Sequence, residues 1–280
     1  MPQVRPFEIS VGLGLETTYG TPVAPSVWIP GTSSLKKSPG RAVLERPVGV
    51  WEETRTTQRP TKVEGSLELE IGPGRTDILR SLLSRRTWRH LHSATVQETL
   101  GDQAGFRTCG VVVKTASFKV ASGEDLIGNF EVLGRQRERV TPVAPLFASA
   151  PAPYTFEEMI ATLAEGREEH FSEIELKYDF NIVDDKFRSD GTGLLREAPT
   201  DGQSVIVSIQ HDLEHNDLWD AAMRGDRVAL SFVFTRSGYT DMVWTLPLCE
   251  YQEGDRDGNE QPLELRALAS GTTPAVIWTG

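Results

Sequence analysis

The chain has 280 residues, of which 25% are charged, and its formal net charge is −11 at pH 7. This length is enough to bury the core of one large β domain or of two small ones. Affinity for phosphate depends on clustered Lys and Arg, so the acidic composition argues against an ordinary nucleic-acid-binding protein, and no apolar run approaches the roughly 20 residues that would span a bilayer.

The first half of the chain alternates between apolar and polar residues with a period of two. Such alternation predicts half-buried β-strands, and the clearest of them runs from Val63 to Ile71. A short helix is predicted at Asp77–Ser84, with Thr76 as its N-cap. A hairpin is predicted from Val111–Val120 to Leu126–Leu133.

A stretch rich in Pro and Ala at residues 141–153 indicates an extended connector between two parts of the chain. We therefore place a domain boundary there. The expected organisation is a first β unit with an extended N-terminal arm at residues 1–150, followed by a second β unit at residues 151–280.

The second half repeats the same kind of pattern. Alternation predicts a strand at Ile174–Ile182 and a hairpin from Val228–Phe234 to a return strand at Tyr239–Tyr251. Short helices are predicted at Asp217–Met223 and at Phe156–Arg167. Strands dominate throughout, so the predicted fold class is mainly β with short flanking helices.

An offset of 140 residues aligns the two halves without a gap. Leu67 then falls on Val207, and Thr76 falls on Asn216. Each half would consist of a strand, a short capped helix and a hairpin. Two amphipathic β-α segments can also agree by chance, so the sequence leaves both duplication and coincidence open.

Charge is divided unequally between the halves. Residues 1–150 contain 19 Lys and Arg against 15 Asp and Glu, a net charge of +4, whereas residues 151–280 contain 10 against 25, a net charge of −15. The division has two interpretations. It is either chance or the mark of a basic surface that meets an acidic surface of a neighbouring copy.

Patterns typical of catalysis or metal binding are weak. His211 and His215 are four residues apart but lack the Glu that follows the first His of a zincin, and Gly12 and Gly14 lack the third glycine of a dinucleotide site. No G-x-S-x-G motif occurs. We therefore predict no enzyme activity, no cofactor and no metal.

Two cysteines, Cys109 and Cys249, do not form a disulfide framework. Two free buried thiols are favoured over a single bridge. This usage, together with an N-terminus that lacks an apolar signal core, predicts synthesis in a cytoplasm rather than export through the Sec pathway.

The opening segment, residues 11–25, has the sequence VGLGLETTYGTPVAP, and residues 63–69 have the sequence VEGSLEL. The first closely resembles the start of siphophage tail tube proteins, in which a glycine-bearing strand leads into a Glu-(Ser/Thr)-x-Tyr-Gly-Thr-Pro turn. The second resembles a "gly-ser-leu-glu" strand of that family. The resemblance is specific over residues 11–35 and 62–84, whereas the segment Arg85–Phe106 matches no motif of the family.

The resemblance implies a tail-tube-type β-sandwich or barrel that self-assembles into stacked rings. Such a protein is a structural part of the virion, made in the bacterial host cytoplasm, and the rings form the hollow tail tube through which genomic DNA passes into the host without specific binding. Its partners would be other copies of itself, the tape measure protein and the tail terminator, with no membrane and no cofactor involved.

Geometry constrains the ring. A lumen of roughly 40 Å for a DNA duplex needs a backbone diameter near 50 Å, which roughly 25 tilted strands would close. Six folds of four strands would suffice. A real 140-residue repeat would supply them from three chains; without it, a hexamer is expected.

Two sets of residues are predicted to act in assembly. The polar sides of two strands are predicted to line the lumen and repel phosphate, with the carboxylates of Glu64, Glu68, Glu70, Glu173, Glu175 and Asp179. The extended N-terminal region from about Thr17 to Thr57 is predicted to contact the adjacent ring as an arm. Its candidate contact residues are Thr17, Tyr19, Pro22, Trp28 and Trp51.

Three other functions compete with this one. The first is another ring-forming virion component, either a tail terminator or a secretion-type tube. The second is a β-sandwich carbohydrate-binding module, which the tryptophans Trp28, Trp51 and Trp244 would permit. The third, an enzyme, would need a pocket with a perturbed carboxylate.

Overall fold

The structure is a computed structural model and describes residues 9–38, 41–43, 56–58, 61–100, 104–143, 151–163, 171–183, 194–212, 224–254, 260–270 and 272–280. These residues form seventeen strands and one α-helix. The elements of the first half are β1 (Ile9–Leu15), β2 (Val27–Ser33), β3 (Lys36–Lys37), β4 (Arg41–Val43), β5 (Thr56–Gln58), β6 (Val63–Glu70), α1 (Thr76–Leu82), β7 (Ala94–Leu100), β8 (Ala104–Ala121), β9 (Ile127–Gly134) and β10 (Gln136–Val140). The elements of the second half are β11 (Met159–Leu163), β12 (Phe171–Asp179), β13 (Ser204–Asp212), β14 (Val228–Phe234), β15 (Met242–Gly254), β16 (Glu260–Ala267) and β17 (Ile277–Thr279).

Six strands of the first half close a barrel. Antiparallel pairing runs from β1 to β2, β6, β9, β8 and β7, and β7 pairs with β1 again. The mainly β fold with a barrel and few helices is thereby confirmed. Closure leaves no free edge within this circuit, which protects the strands from pairing with other chains.

The second half continues the sheet from the long strand β8. The C-terminal part of β8, residues 115–121, pairs with β12, and pairing proceeds through β13, β16, β15 and β14 to β11. β17 lies beside the start of β15, just as β10 lies beside the start of β8. The two halves therefore share one sheet.

The order of strand pairing repeats between the halves. In the first half β1, β7, β8, β9, β6 and β2 are neighbours in that order, and in the second half β11, β14, β15, β16, β13 and β12 are neighbours in the corresponding order. The difference lies at the ends of the two series. β1 pairs with β2 and closes the barrel, whereas within the described residues β11 pairs with β14 alone.

Most buried side chains fill one large core, and a second, smaller cluster contains Tyr19, Val112, Leu133, Leu195 and Ala198. Ile78, Leu79 and Leu82 of α1 are buried and pack against the barrel strands. The helix begins at Thr76 itself, with Arg75 at the N-cap position, so the predicted capping role of Thr76 is wrong by one residue. An aromatic cluster joins the two halves around Phe118, whose ring contacts those of Phe130, Tyr178, Trp244 and Trp278.

The helix predicted at Phe156–Arg167 is wrong over its described part. Phe156–Glu158 is a single 3-10 turn, and Thr155 and Glu158 form a capping box there. Residues 159–163 form β11, because their backbone pairs with β14 while Ala161 is buried and Ile160 is exposed in strand alternation. The helix predicted at Asp217–Met223 lies outside the described residues.

The remaining strand predictions agree with the structure. Both predicted hairpins form, β8 with β9 and β14 with β15. Cys109 and Cys249 are free and buried, as favoured by the sequence. Among the described helices, none combines the length and apolar character that crossing a bilayer would require.

Candidate functional site

One face of the shared sheet is polar across six or more strands. Because side chains alternate along each strand, the register of pairing decides which of them share a face. Residues opposite one another across the sheet form two polar rows. One row is Ser66, Glu131, Thr115, Asp179 and Ser204. The other is Glu70, Ile127, Lys119, Glu175, Ser208 and Glu264.

All six acidic residues predicted to face a common channel lie on this one face, which we call the polar sheet face. Glu64, Glu68 and Glu70 project from β6, while Glu173, Glu175 and Asp179 project from β12. The neighbours of these residues along each strand, such as Leu67 and Leu176, are buried in the core. β6 and β12 are separated by β9 and β8 within this face, and the position of the six residues at a lumen stays a prediction.

Lysines partly neutralise the acidic residues of the polar sheet face. Lys62 lies 2.7 Å from Glu64, and Lys119 lies 2.9 Å from Glu173. The hydrogen bond with Glu173 raises the pKa of Lys119. A third lysine, Lys177, is paired with Glu175 at 3.0 Å. The face is therefore mixed in charge, with the exposed carboxylate of Glu68 outside these pairs.

A shallow groove of about 480 Å³ lies in the middle of the polar sheet face, lined by Ser66, Glu131, Lys177, Asp179 and Ser204 among others. Neither His nor Cys lines it. No cluster of three metal-binding side chains occurs within the described part of the chain. His211 lies in β13, and His215 lies outside the described residues. Hydroxyl, amide and charged side chains surround the groove, although apolar atoms make up most of its exposed lining.

Glu16 of the opening motif, residues 11–25, stabilises the closed barrel. Glu16 follows β1 and is 3% exposed. Its carboxylate accepts hydrogen bonds from the N–H groups of Gly20 at 2.7 Å and Gly110 at 2.8 Å, and from the hydroxyls of Ser93 and Thr95 at 2.9 Å each. Four donors from three separate segments satisfy the buried charge, so this carboxylate fixes the turn that follows it.

Residues of the predicted N-terminal arm differ in their exposure to solvent. Tyr19 is buried, and burial raises its pKa. Gly20 has φ of 73°, a left-handed conformation that favours glycine, and its Cα faces the side chain of Arg135. Thr17 and Pro22 are exposed. Contact of this segment with a second ring remains a prediction, and these two exposed residues are the ones accessible for it.

The tryptophans are distributed between core and surface. Trp28 in β2 and Trp244 in β15 are buried, so neither offers a platform for a sugar ring, and Trp51 lies outside the described residues. No sequence pattern indicated the exposure of Trp88, which is 73% exposed and lies in the segment that matched no family motif. The guanidinium of Arg89 lies 4.1 Å from the centre of its ring.

The family model described as "Phage tail tube protein" matches residues 6–267, which include both halves of the sheet. A comparison with curated proteins finds no match. Because the family match covers nearly the whole chain, this protein belongs to the phage tail tube protein family.

Proposed function

We propose that this chain self-assembles into stacked rings that form the hollow tail tube of a siphophage, with genomic DNA passing through the lumen. One observation carries the proposal. The polar sheet face runs over both halves of the chain and has a buried core behind it, and within the described residues its first strand, β3, pairs on one side only, with β6. Such a sheet can continue into a neighbouring copy.

The number of strands fits a ring of three chains. Each half contributes four strands to the polar sheet face. In the first half these are β6, β9, β8 and the consecutive strands β2 and β3, which count as one because both pair with β6. In the second half they are β12, β13, β16 and β15. Three chains thus supply 24 strands, close to the roughly 25 that a barrel around a DNA duplex requires. The repeated pairing order supports two tube-like units per chain, with their boundary near residue 151.

The polar sheet face would line the lumen. Carboxylates such as Glu68 and Glu70 would repel the phosphates of passing DNA, while the lysines paired with other carboxylates reduce the net negative charge of the face. The tape measure protein would occupy the same lumen before ejection, and the tail terminator would stop the stacking of rings. Synthesis in the host cytoplasm precedes incorporation into the virion.

Negative-stain microscopy of the purified full chain tests the proposal. We expect tubes with a regular axial repeat. Rings that do not stack would instead favour a tail terminator, and a protein that stays monomeric at high concentration would contradict self-assembly altogether.

Charge reversal tests the lumen assignment separately. In phage that carry Glu68→Lys and Glu70→Lys, we expect tubes to assemble and DNA ejection to slow, because lysines would bind phosphate. The matched control reverses two exposed carboxylates outside the strands of this face, Asp77→Lys in α1 and Glu157→Lys in the 3-10 turn. Ejection kinetics equal to those of the control would show that another face lines the channel.

A further inference from the structure

The loop that joins β12 to β13 crosses from the second unit onto the outside of the closed barrel. Its described part contains Leu195 and Ala198, which are 0% and 1% exposed. These two side chains pack against Tyr19, against Val112 of β8 and against Leu133 of β9. A segment of one unit thus covers an apolar patch on the outer face of the other.

Polar contacts hold this loop on the barrel. The guanidinium of Arg86 donates to the carboxylate of Glu197. Three residues later, the N–H of Thr200 donates to the carbonyl of Arg89 at 2.8 Å. The loop is therefore fixed on both sides of Ala198, so the cover belongs to the fold of the single chain.

The repeat of strand order gives the covered patch a counterpart in the second unit. β8 and β9 correspond to β15 and β16. The 140-residue offset sets Ile206 in the place of Ser66. Ser66 lies opposite Glu131 on β9, and Ile206 lies opposite Arg266 on β16. Arg266 therefore occupies the place of Glu131.

Two residues farther along, Leu268 occupies the place of Leu133. Its N–H donates to the carbonyl of Leu248 at 2.8 Å, and Leu248 thereby occupies the place of Val112, which lies opposite Leu133. Ala267 is buried in the core, so Leu268 faces outward. Val112 and Leu133 are at most 1% exposed, whereas Leu248 and Leu268 are partly exposed. The second unit thus has the apolar patch with less cover.

The covering segment has a counterpart as well. The β12–β13 loop contains the sequence GLLREA at residues 193–198, and the sequence GVWEET stands at residues 49–54, between β4 and β5. Each has a glycine, two apolar residues and, in fifth position, a glutamate. An offset of 144 residues aligns them, close to the offset of the strands. Trp51, outside the described residues, then corresponds to Leu195.

We propose that residues 49–54 of one chain cover the patch of Leu248 and Leu268 on the next copy in the same ring, with Trp51 in the place that Leu195 has inside the chain. This inference rests on the proposed ring and names a contact that joins its chains. The contact is made on the outer face of β15 and β16, so it needs no free strand edge. Trp51 would then contact a chain of its own ring rather than the adjacent ring.

Strand order favours a contact between chains over one within a chain. The β12–β13 loop reaches β8 from the neighbouring strand β12. From β6 to β16 within one chain the sheet takes five steps, through β9, β8, β12 and β13, which at about 4.8 Å each is about 24 Å. In a head-to-tail ring, the first unit of one chain lies beside the second unit of the next, so the same short crossing recurs there.

Paired substitutions distinguish the two kinds of contact. Leu195→Ala should lower the thermal unfolding temperature of the dissociated chain by about 5 °C or more, because this side chain is buried in every single chain. Trp51→Ala should leave that temperature unchanged and reduce the assembled fraction in sedimentation at least tenfold. Trp88→Ala, at a tryptophan that is 73% exposed and outside both matching segments, is the control and should change neither quantity.

Two results of this comparison would overturn the inference. A dissociated Trp51→Ala chain that loses as much thermal stability as Leu195→Ala would place Trp51 within its own chain. A Trp51→Ala chain that assembles as well as wild type would show that Trp51 joins no copies.

Disulfide trapping tests the position of the contact. In assembled tubes, Trp51→Cys combined with Leu268→Cys should oxidise to a ladder that ends at the number of chains in one ring, three in the proposed trimer. Each single variant controls for Cys109 and Cys249, which are free and buried. Tubes in which the pair stays unlinked, links within one chain or links into polymers longer than a ring would refute this inference alone. A wild-type chain that forms no tubes would refute the proposed function with it.

Discussion

The closed barrel of β1, β2, β6, β9, β8 and β7 and the open sheet of β11–β16 have the same strand order, but only the first closes on itself. The first closes through the pairing of β1 with β2 and holds its entry turn with a buried carboxylate. The second has no pairing of β11 with β12 within the described residues, and β12 pairs with β8 of the first instead. A repeated unit can therefore either close on itself or pair with the neighbouring unit.

The largest effect is expected where the two regions share their core. Phe118 is fully buried, and its ring contacts Tyr178, Trp244 and Trp278 from the second region. Phe118→Ala should lower the free energy of unfolding by about 3–5 kcal/mol, because it removes a large buried side chain and leaves a cavity. Denaturant unfolding of the unassembled chain measures this loss.

The control for Phe118 is an aromatic side chain of the surface. Trp88→Ala should change the free energy of unfolding by at most about 0.5 kcal/mol, because Trp88 is 73% exposed. Equal losses in the two variants would mean that the regions do not share one core, and the comparison between them would fail.

The next largest loss of stability is expected from a substitution inside the closed barrel. Glu16→Gln keeps the shape of the side chain but replaces one acceptor oxygen by an NH₂ group, which would face donors that now bind the carboxylate. Hydrogen bonds to charged groups contribute roughly 1.5–3 kcal/mol each, so a loss of about 2–3 kcal/mol is expected. Glu124→Gln in an exposed turn is the control, and a loss as small as that of the control would remove Glu16 from its proposed structural role.

The sequence predicted most of what depends on local periodicity. Alternation located β6 and β12 and assigned their six acidic residues to polar sides, because strand geometry fixes which side chains share a face. It failed at Met159–Leu163, where an apolar run of this length fits a helix as well as a strand, and pairing with β14 decides the outcome.

Contacts between distant segments could not be predicted in the same way. The four donors around Glu16 come from residues 20, 93, 95 and 110, and no local pattern joins them. The pairing of β8 with β12 joins strands that are 50 residues apart from the end of one to the start of the other, so this pairing became visible only once the strand order was known. The resemblance of residues 11–25 to a family identified the motif without giving its contacts.

Hydrogen exchange can compare backbone amides inside the closed barrel with amides at the outer edge of β3. In the dissociated chain, amides of residues 35 and 37 should exchange quickly, because their side of β3 has no neighbouring strand within the described residues. In tubes these amides should be protected at least 100-fold more. Residues 10–13 of β1, which pair with β2 and β7 on both sides, should show similar protection in both states. Equal exchange at residues 35 and 37 in both states would place the ring contact elsewhere.

The smallest effect concerns one ion pair in each region. Burial raises the pKa of Glu98 in the barrel above its ordinary value of 4.5, although Arg137 lies 2.7 Å away. In the second region, the hydrogen bond from Arg236, with its Nε 2.6 Å from the carboxylate, lowers the pKa of Glu158. The two carboxylates should therefore respond to pH with opposite signs.

The folded state holds the proton of Glu98 more tightly than the unfolded state does, so ionisation of this group costs stability as the pH rises above about 4.5. Glu158 stabilises the fold in its charged form, and that contribution is lost as the pH falls from about 4.5 through its lowered pKa. Thermal unfolding of Glu98→Gln and Glu158→Gln between pH 3 and pH 7 measures both, with each variant compared with wild type at every pH. The stability advantage of wild type should fall with rising pH for Glu98 and rise for Glu158. If the stability difference between wild type and variant changed with pH in the same direction for both residues, the two ion pairs would respond to pH alike. The pH dependence of stability would then not distinguish the closed barrel from the open sheet.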